Sequence, residues 1–179
     1  MKVSELFEAK ERSVLSVMGQ LRPERGTGGF SCASNRLTSL EGCPSSVGSS
    51  FTCADNELTS LKGGPSSVGG SFSCSANYLT SLEGAPSSVG QYFYGRDNRL
   101  TSLHNIHKQI KHIGGGVNFE DNLIESHVLG LLLIDGLTIC HLDNKLVEDI
   151  INKHLKGDRD VFACQEELIE AGLEEFAQL

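Results

Sequence analysis

Phe30, Phe51, Phe72 and Phe93 stand 21 residues apart, and the same interval separates Leu40, Leu61, Leu82 and Leu103 as well as Asn35, Asn56, Asn77 and Asn98. The unit reads F-x-C-x-x-N-x-L-T-S-L-x-G-x-P-x-x-V-G-x-x. A unit this short cannot enclose a core by itself, so its apolar side chains are buried only when copies stack. The period therefore predicts a solenoid.

Each position has a physical task. Alternate side chains of an extended stretch face the same way, so Phe72 and Cys74 point inward while Ser71, Ser73 and Ser75 point out. Copies of that stretch form a parallel ladder. Asn77 follows at the turn, where a stacked Asn column can satisfy backbone groups that would otherwise be buried unpaired. Leu79 and Leu82 bring the chain back to the core. The return segment L-E-G-A-P-S-S-V-G has no helical face and several breakers, which predicts extended chain or a short tight helix.

The segment F-S-C-S-A-N-Y-L from Phe72 recurs as F-S-C-A-S-N-R-L from Phe30, F-T-C-A-D-N-E-L from Phe51 and F-Y-G-R-D-N-R-L from Phe93, where Gly95 replaces the Cys. It resembles the leucine-rich-repeat signature L-x-L-x-x-N-x-L, with Phe and Cys in the first two Leu places. In order and length it is similar to the short repeats of bacterial effector proteins and, more narrowly, to the L-T-S-L-x-G-x-P repeat proteins of tailed bacteriophages. The resemblance implies a leucine-rich-repeat solenoid with a parallel β-sheet face, encoded by a phage and binding a bacterial host protein. It departs from the common repeat in its V-x-x-x-F spacing.

The match covers residues 30–110 well. Pro23 lies 21 residues before Pro44, which suggests a degenerate unit upstream. Downstream, Val117, Phe119, Asn122 and Ile124 fit F, C, N and L after a three-residue insertion placed at 113–116. About five coils over residues 30–124 result.

The chain has 179 residues, room for such an array and a small companion. Residues 1–29, with a helix expected over 4–12 behind Ser4 and the apolar run V-L-S-V-M, read as an N-terminal cap. Residues 125–179 read as a small helical C-terminal domain that caps the array or adds a docking surface. Its expected parts are an apolar stretch over 128–134, a strand in G-L-T-I-C-H-L, and two helices. The first covers 144–156, capped by Asp143 and ended by Gly157; the second covers 161–171, capped by Asp158 or Asp160.

The net charge is −8, and from Glu120 onward there are 14 acidic against four basic residues. Such a region does not seek phosphate backbones, which argues against nucleic acid and leaves an acidic DNA-mimic inhibitor as an alternative. No apolar stretch has membrane-span length and the start M-K-V-S-E-L-F-E lacks a secretory run, so no membrane association and a cytoplasmic location, that of the host, are expected.

Candidate chemistry is thin. Cys32, Cys53 and Cys74 share the core position, and with Cys43, Cys140 and Cys164 they contain no C-x-x-C pair, so they read as small apolar side chains. Cys140 is followed by His141 and then Asp143, but neighbours in a strand face opposite ways, and the segment is far shorter than the cysteine ligase domains of bacterial effectors. The same shortness speaks against Cys164 in F-A-C-Q-E-E. His104, His107, His112 and His127 lack an orderly metal-ligand spacing. Gly114 to Gly116 are not followed by Lys-Ser or Lys-Thr, so they form no phosphate loop. Neither an enzyme nor a cofactor or metal site is expected.

The surface is more informative. Outward columns run Ser31, Thr52, Ser73 and then Tyr94; Gly29, Ser50, Ser71 and then Tyr92; Ala33, Ala54, Ser75 and then Arg96. Tyr78 and Arg99 stand in the turn column. Tyr and Arg bury large areas while keeping polar tips, so Tyr92, Tyr94, Arg96, Tyr78 and Arg99 are the expected partner-binding residues, unless the two tyrosines pack beneath the C-terminal helices. The expected function is protein–protein interaction, with stoichiometric masking of a host protein such as a defence factor. A structural, self-assembling homodimer built through solenoid ends is the alternative.

Overall fold

The computed structural model describes residues 12–17 and 28–179. Residues 4–11 of the expected first helix, and the unit around Pro23, lie outside the described residues. The chain is a parallel β-solenoid of about five turns with a few helices. One six-stranded sheet contains β1 (Phe30–Ser31), β3 (Phe51–Thr52), β5 (Phe72–Ser73), β7 (Phe93–Tyr94), β9 (Gly116–Asn118) and β10 (Ile139–His141), in that order. The return segments form a second, four-stranded sheet from β2 (Ser46–Val47), β4 (Ser67–Val68), β6 (Ser88–Val89) and β8 (His112–Ile113). The return segment is thus extended, and its S-V pairs make a ladder that the breakers alone did not reveal.

Register follows the repeat: Phe30 pairs with Phe51, Phe51 with Phe72 and Phe72 with Phe93. Ring centroids lie 5.7 and 5.5 Å apart in the first two, stacked pairs and 5.0 Å apart in the third, tilted pair, with Phe51, Phe72 and Phe93 buried. Phe93 then pairs with Val117, and Val89 with Ile113, each step three residues longer than the repeat. The insertion therefore precedes Ile113, correcting its placement at 113–116. The short helix α2 (Ile106–Gln109) occupies that coil, with Ile106 and Ile110 in the core.

The Asn column satisfies the coil corners. Asn56 Nδ2 donates to the carbonyls of Cys53, Ala54 and Cys32, while its Oδ1 accepts from the N–H groups of Asn35 and Leu37. Asn77, Asn98 and Asn122 repeat the same bridge between coils. Just before each Asn the chain turns through the left-handed region, at Ser34, Asp55, Ala76, Asp97 and Asp121. At the exit from the second sheet, the coils approach so closely that a Cβ on Gly69 would lie 2.3 Å from the Gly48 carbonyl oxygen, and one on Gly90 2.0 Å from that of Gly69. Only glycine permits that spacing.

Gly95, where the Cys column breaks, has a similar explanation. A Cβ there would meet the Phe119 ring at 2.8 Å, so the larger ring of the next coil occupies the space. Beyond it, a 3₁₀ helix (Leu129–Leu133) leads into β10, followed by α3 (Lys145–Lys156) and α4 (Val161–Glu170). Asn144, not Asp143, caps α3 by accepting from the Val147 N–H; Asp160 caps α4 through the N–H groups of Phe162 and Ala163. Asp143 instead accepts from the N–H groups of Asp121 and Asn122, at 2.8 and 3.1 Å. It takes over where the Asn column stops.

Near the chain start, α1 (Val14–Val17) follows Ser13, which bridges Ser39 in parallel, and Val14 is buried.

Candidate functional site

The exposed face of the six-stranded sheet is uniform over β1, β3 and β5 and changes at β7. Small side chains leave a flat ladder on the earlier strands. At β7, Tyr92 and Tyr94 project from alternate positions of one strand and stack with ring centroids 5.9 Å apart. They remain 46% and 39% exposed, so no element among the described residues covers them fully. Gly115 and Gly116 lie under the Tyr92 ring, whose atoms would be 3.5 and 3.2 Å from a Cβ at those positions, and Ile139 crowds Gly116 from β10. These glycines, which the sequence reading placed in the insertion, thus let an aromatic ring and an aliphatic side chain lie down on the sheet.

Register places Asn118 and His141 in the Tyr94 column, and Glu120 and Asp143 follow Arg96 in the next. Arg96 pairs with Asp121, Nη2 to Oδ2 at 2.6 Å. Arg96, Glu120, Asp121, His141, Leu142 and Asp143 line an open cleft of about 630 Å³, closed off by Lys145 and Glu148 from the start of α3. Tyr78 and Arg99 lie past the Asn turn, on the next side of the coil, where the Arg99 guanidinium sits 4.3 Å over the Tyr78 ring. The five residues singled out in the sequence therefore form two groups.

Glu148 is the buried charge of the cleft. Its Oε2 accepts from the Leu142 N–H at 2.9 Å, its Oε1 meets Lys145, and His141 Nδ1 lies 3.8 Å from Oε2. Burial pushes this carboxyl up, but the Lys145 ammonium, the Leu142 N–H and His141 together outweigh burial and hold it below its ordinary value. Asn152, one turn further along α3, donates to the Cys140 carbonyl and accepts from the Cys140 N–H. Two α3 side chains thereby occupy hydrogen-bonding groups on the outer edge of the last strand. In the sequence Glu148 is one more acid on an amphipathic helix, and only the packing of α3 beside β10 gives it this place.

The cysteines of the repeat are buried, and each thiol points at a carbonyl of the next coil, as Cys53 Sγ does to Ser73 at 3.5 Å. Burial pushes the Cys74 and Cys164 thiols up to about 12, and that of Cys140 higher, which suppresses thiolate at neutral pH. Cys140 and His141 face opposite sides of β10, the first buried and the second half-exposed. The histidines do not converge on one point: His104 and His127 meet edge to face, His112 pairs with Asp135, and the buried Nδ1 of His107 has no hydrogen-bond partner among the described residues.

Fold and surface together define a two-sheet parallel β-solenoid with an aromatic and acidic break near the C-terminal end of its main sheet. Comparison with protein-family profiles, curated proteins and solved structures gives no significant match. Among the described residues, no helix is long and apolar enough to cross a membrane.

Proposed function

We propose that this chain is a phage-encoded protein-binding module of the leucine-rich-repeat type, which holds a bacterial host protein against the main sheet at β7 to β10 and masks it stoichiometrically. The carrying observation is the exposed, stacked pair Tyr92 and Tyr94, where a face made of small side chains over β1, β3 and β5 changes character. Rigid aromatic area with polar tips is what binding hot spots use, and Arg96 and Ile139 border it. The repeat signature and the Asn column support the leucine-rich-repeat kinship. The two-residue strands of the return side replace the helix or 3₁₀ segment common in such repeats.

The test is affinity capture from bacterial lysate, then titration of the captured protein after purification, with wild-type chain beside Tyr92→Ala/Tyr94→Ala. A host protein that binds one to one and is released by the double substitution, with unfolding unchanged, supports the reading. Equal binding by both chains overturns the assigned face.

Self-association is the second reading, favoured by Phe162, 78% exposed on α4, together with exposed Leu146 and Ile169. Sedimentation across a concentration series decides it. Dimerisation lost in Phe162→Ser supports it, and a constant monomer mass removes it.

A further inference from the structure

We propose that Glu120, His141 and Glu148 form a binding site for a divalent transition-metal ion. Their side-chain donor atoms, one imidazole nitrogen and two carboxylate oxygens, lie within 4.8 Å of one another. The three come from different elements, just after β9, from β10 and from the first turns of α3, so the site exists only once the last strand and helix are docked. One nitrogen and two oxygen donors, with further positions left to water, suit ions such as Mn²⁺, Co²⁺ and Zn²⁺.

The ligands differ in freedom, and that difference makes the site workable. Glu148 is 7% exposed at its side chain and anchored by the Leu142 N–H, so its position is set before any ion arrives. His141 is 43% exposed, and Glu120 is half-buried and oriented by Asn118, whose amide donates to its Oε2 at 2.9 Å. Metal–ligand bonds of about 2.0–2.2 Å require the donors to draw together by about 1 Å or more, which rotation of these two freer side chains supplies. A hydrogen-bonded partner behind a ligating carboxylate, as Asn118 is here, is a usual companion of metal ligands.

The surroundings favour a cation. Asp121, Asp143 and Asp149 add negative charge close by, and Arg96 is already paired with Asp121. Lys145 is the competitor: its ammonium bridges Glu148 and Asp149, the latter at 3.0 Å. Its side chain is 72% exposed, so it can leave Glu148 and keep Asp149 when an ion enters. Removing Lys145 should therefore tighten metal binding, an effect that a purely structural Glu148 does not produce.

Titration of the full chain with Co²⁺, read by absorption, and thermal unfolding with Co²⁺ or Mn²⁺ test the proposal. The expected result is one saturable Co²⁺ per chain without sulfur-to-metal charge transfer, and a Tm that rises with ion concentration. Affinity should fall by at least about tenfold in Glu120→Gln and His141→Ala, and rise several-fold in Lys145→Gln. Glu120→Gln retains an acceptor for Asn118, so it decides the matter even if His141→Ala folds poorly. Absence of saturable uptake, uptake unchanged in Glu120→Gln, or a thiolate charge-transfer band would each overturn the site.

Discussion

The coils around Phe51 and Phe72 and those around Val117 and Cys140 share one sheet but are held together in different ways. In the first pair every coil offers its neighbour the same groups, so one Asn per coil satisfies the corner on both sides. In the second pair the columns break: Phe93 is followed by Val117 and then Cys140, and Gly95 by the Phe119 ring. Translation no longer supplies the partners, so individual side chains do. Asp143 replaces the Asn bridge, and Asn152 and Glu148 meet the strand edge. Regular coils provide stability with a featureless surface, while the irregular ones gather Tyr92, Tyr94, Glu120, His141 and Glu148 within a few strands.

The sharpest break of that contrast is Asn77→Ala in the regular region. It leaves the buried Leu58 N–H without its acceptor and takes one of two amide donors from each of the Cys53 and Cys74 carbonyls, which keep Asn56 and Asn98. A loss of about 2–4 kcal/mol in denaturant unfolding is expected, since the one orphaned N–H costs about 1–3 kcal/mol and each further hydrogen bond lost about 0.5–1.5 kcal/mol. Gly90→Ala comes next. Its Cβ would strike the Gly69 carbonyl oxygen, and overpacking of this kind costs about 1–3 kcal/mol. Among the described residues nothing lies within 4 Å of a Cβ at Gly48, in the same column, so Gly48→Ala should cost less than Gly90→Ala. Equal effects at the two glycines would show that column stacking is not what selects them.

A smaller change runs the other way. Ala76 holds a left-handed conformation at φ 53°, where neighbouring coils have Asp, so Ala76→Gly should stabilise by about 0.5–1 kcal/mol in the same assay. The smallest effect belongs to the irregular region. Burial first, then Lys108, Lys111 and His104, hold His107 below its ordinary value of 6.5. The unfolded chain therefore takes up this proton at higher pH than the folded one. Stability is full above pH 6.5 and declines as the pH falls through that value toward the lower folded-state pKa. In His107→Gln that part of the slope should disappear from unfolding curves measured between pH 7 and pH 5.

Much of the architecture was legible at the level of single columns. Phe72 and Cys74 inward, Asn77 at the corner and Leu79 and Leu82 in the core all follow from alternation and period, and the structure buries all five. The pairing of G-L-T-I-C-H-L as a strand was legible too, and Ile139 to His141 pair with Gly116 to Asn118. The insertion was misplaced because three glycines resemble a loop, whereas Gly114 continues the crowded glycine column and the added residues sit around α2. Asp143 looked like a helix cap because it precedes a helical pattern. Its actual partners, the N–H groups of Asp121 and Asn122, belong to a coil more than 20 residues away.

By itself, the sequence determined that copies of one unit must stack in register, because the apolar side chains of a 21-residue unit have nowhere else to be buried and identical neighbours make every contact repeat. It also determined where that regularity fails, at Tyr92, Tyr94 and Gly95. The tertiary structure alone decided what is built at the failure. Glu120, His141 and Glu148 meet only because a particular strand lies beside β9 and a particular helix lies beside that strand, and contacts between unlike elements carry no period from which they could be read.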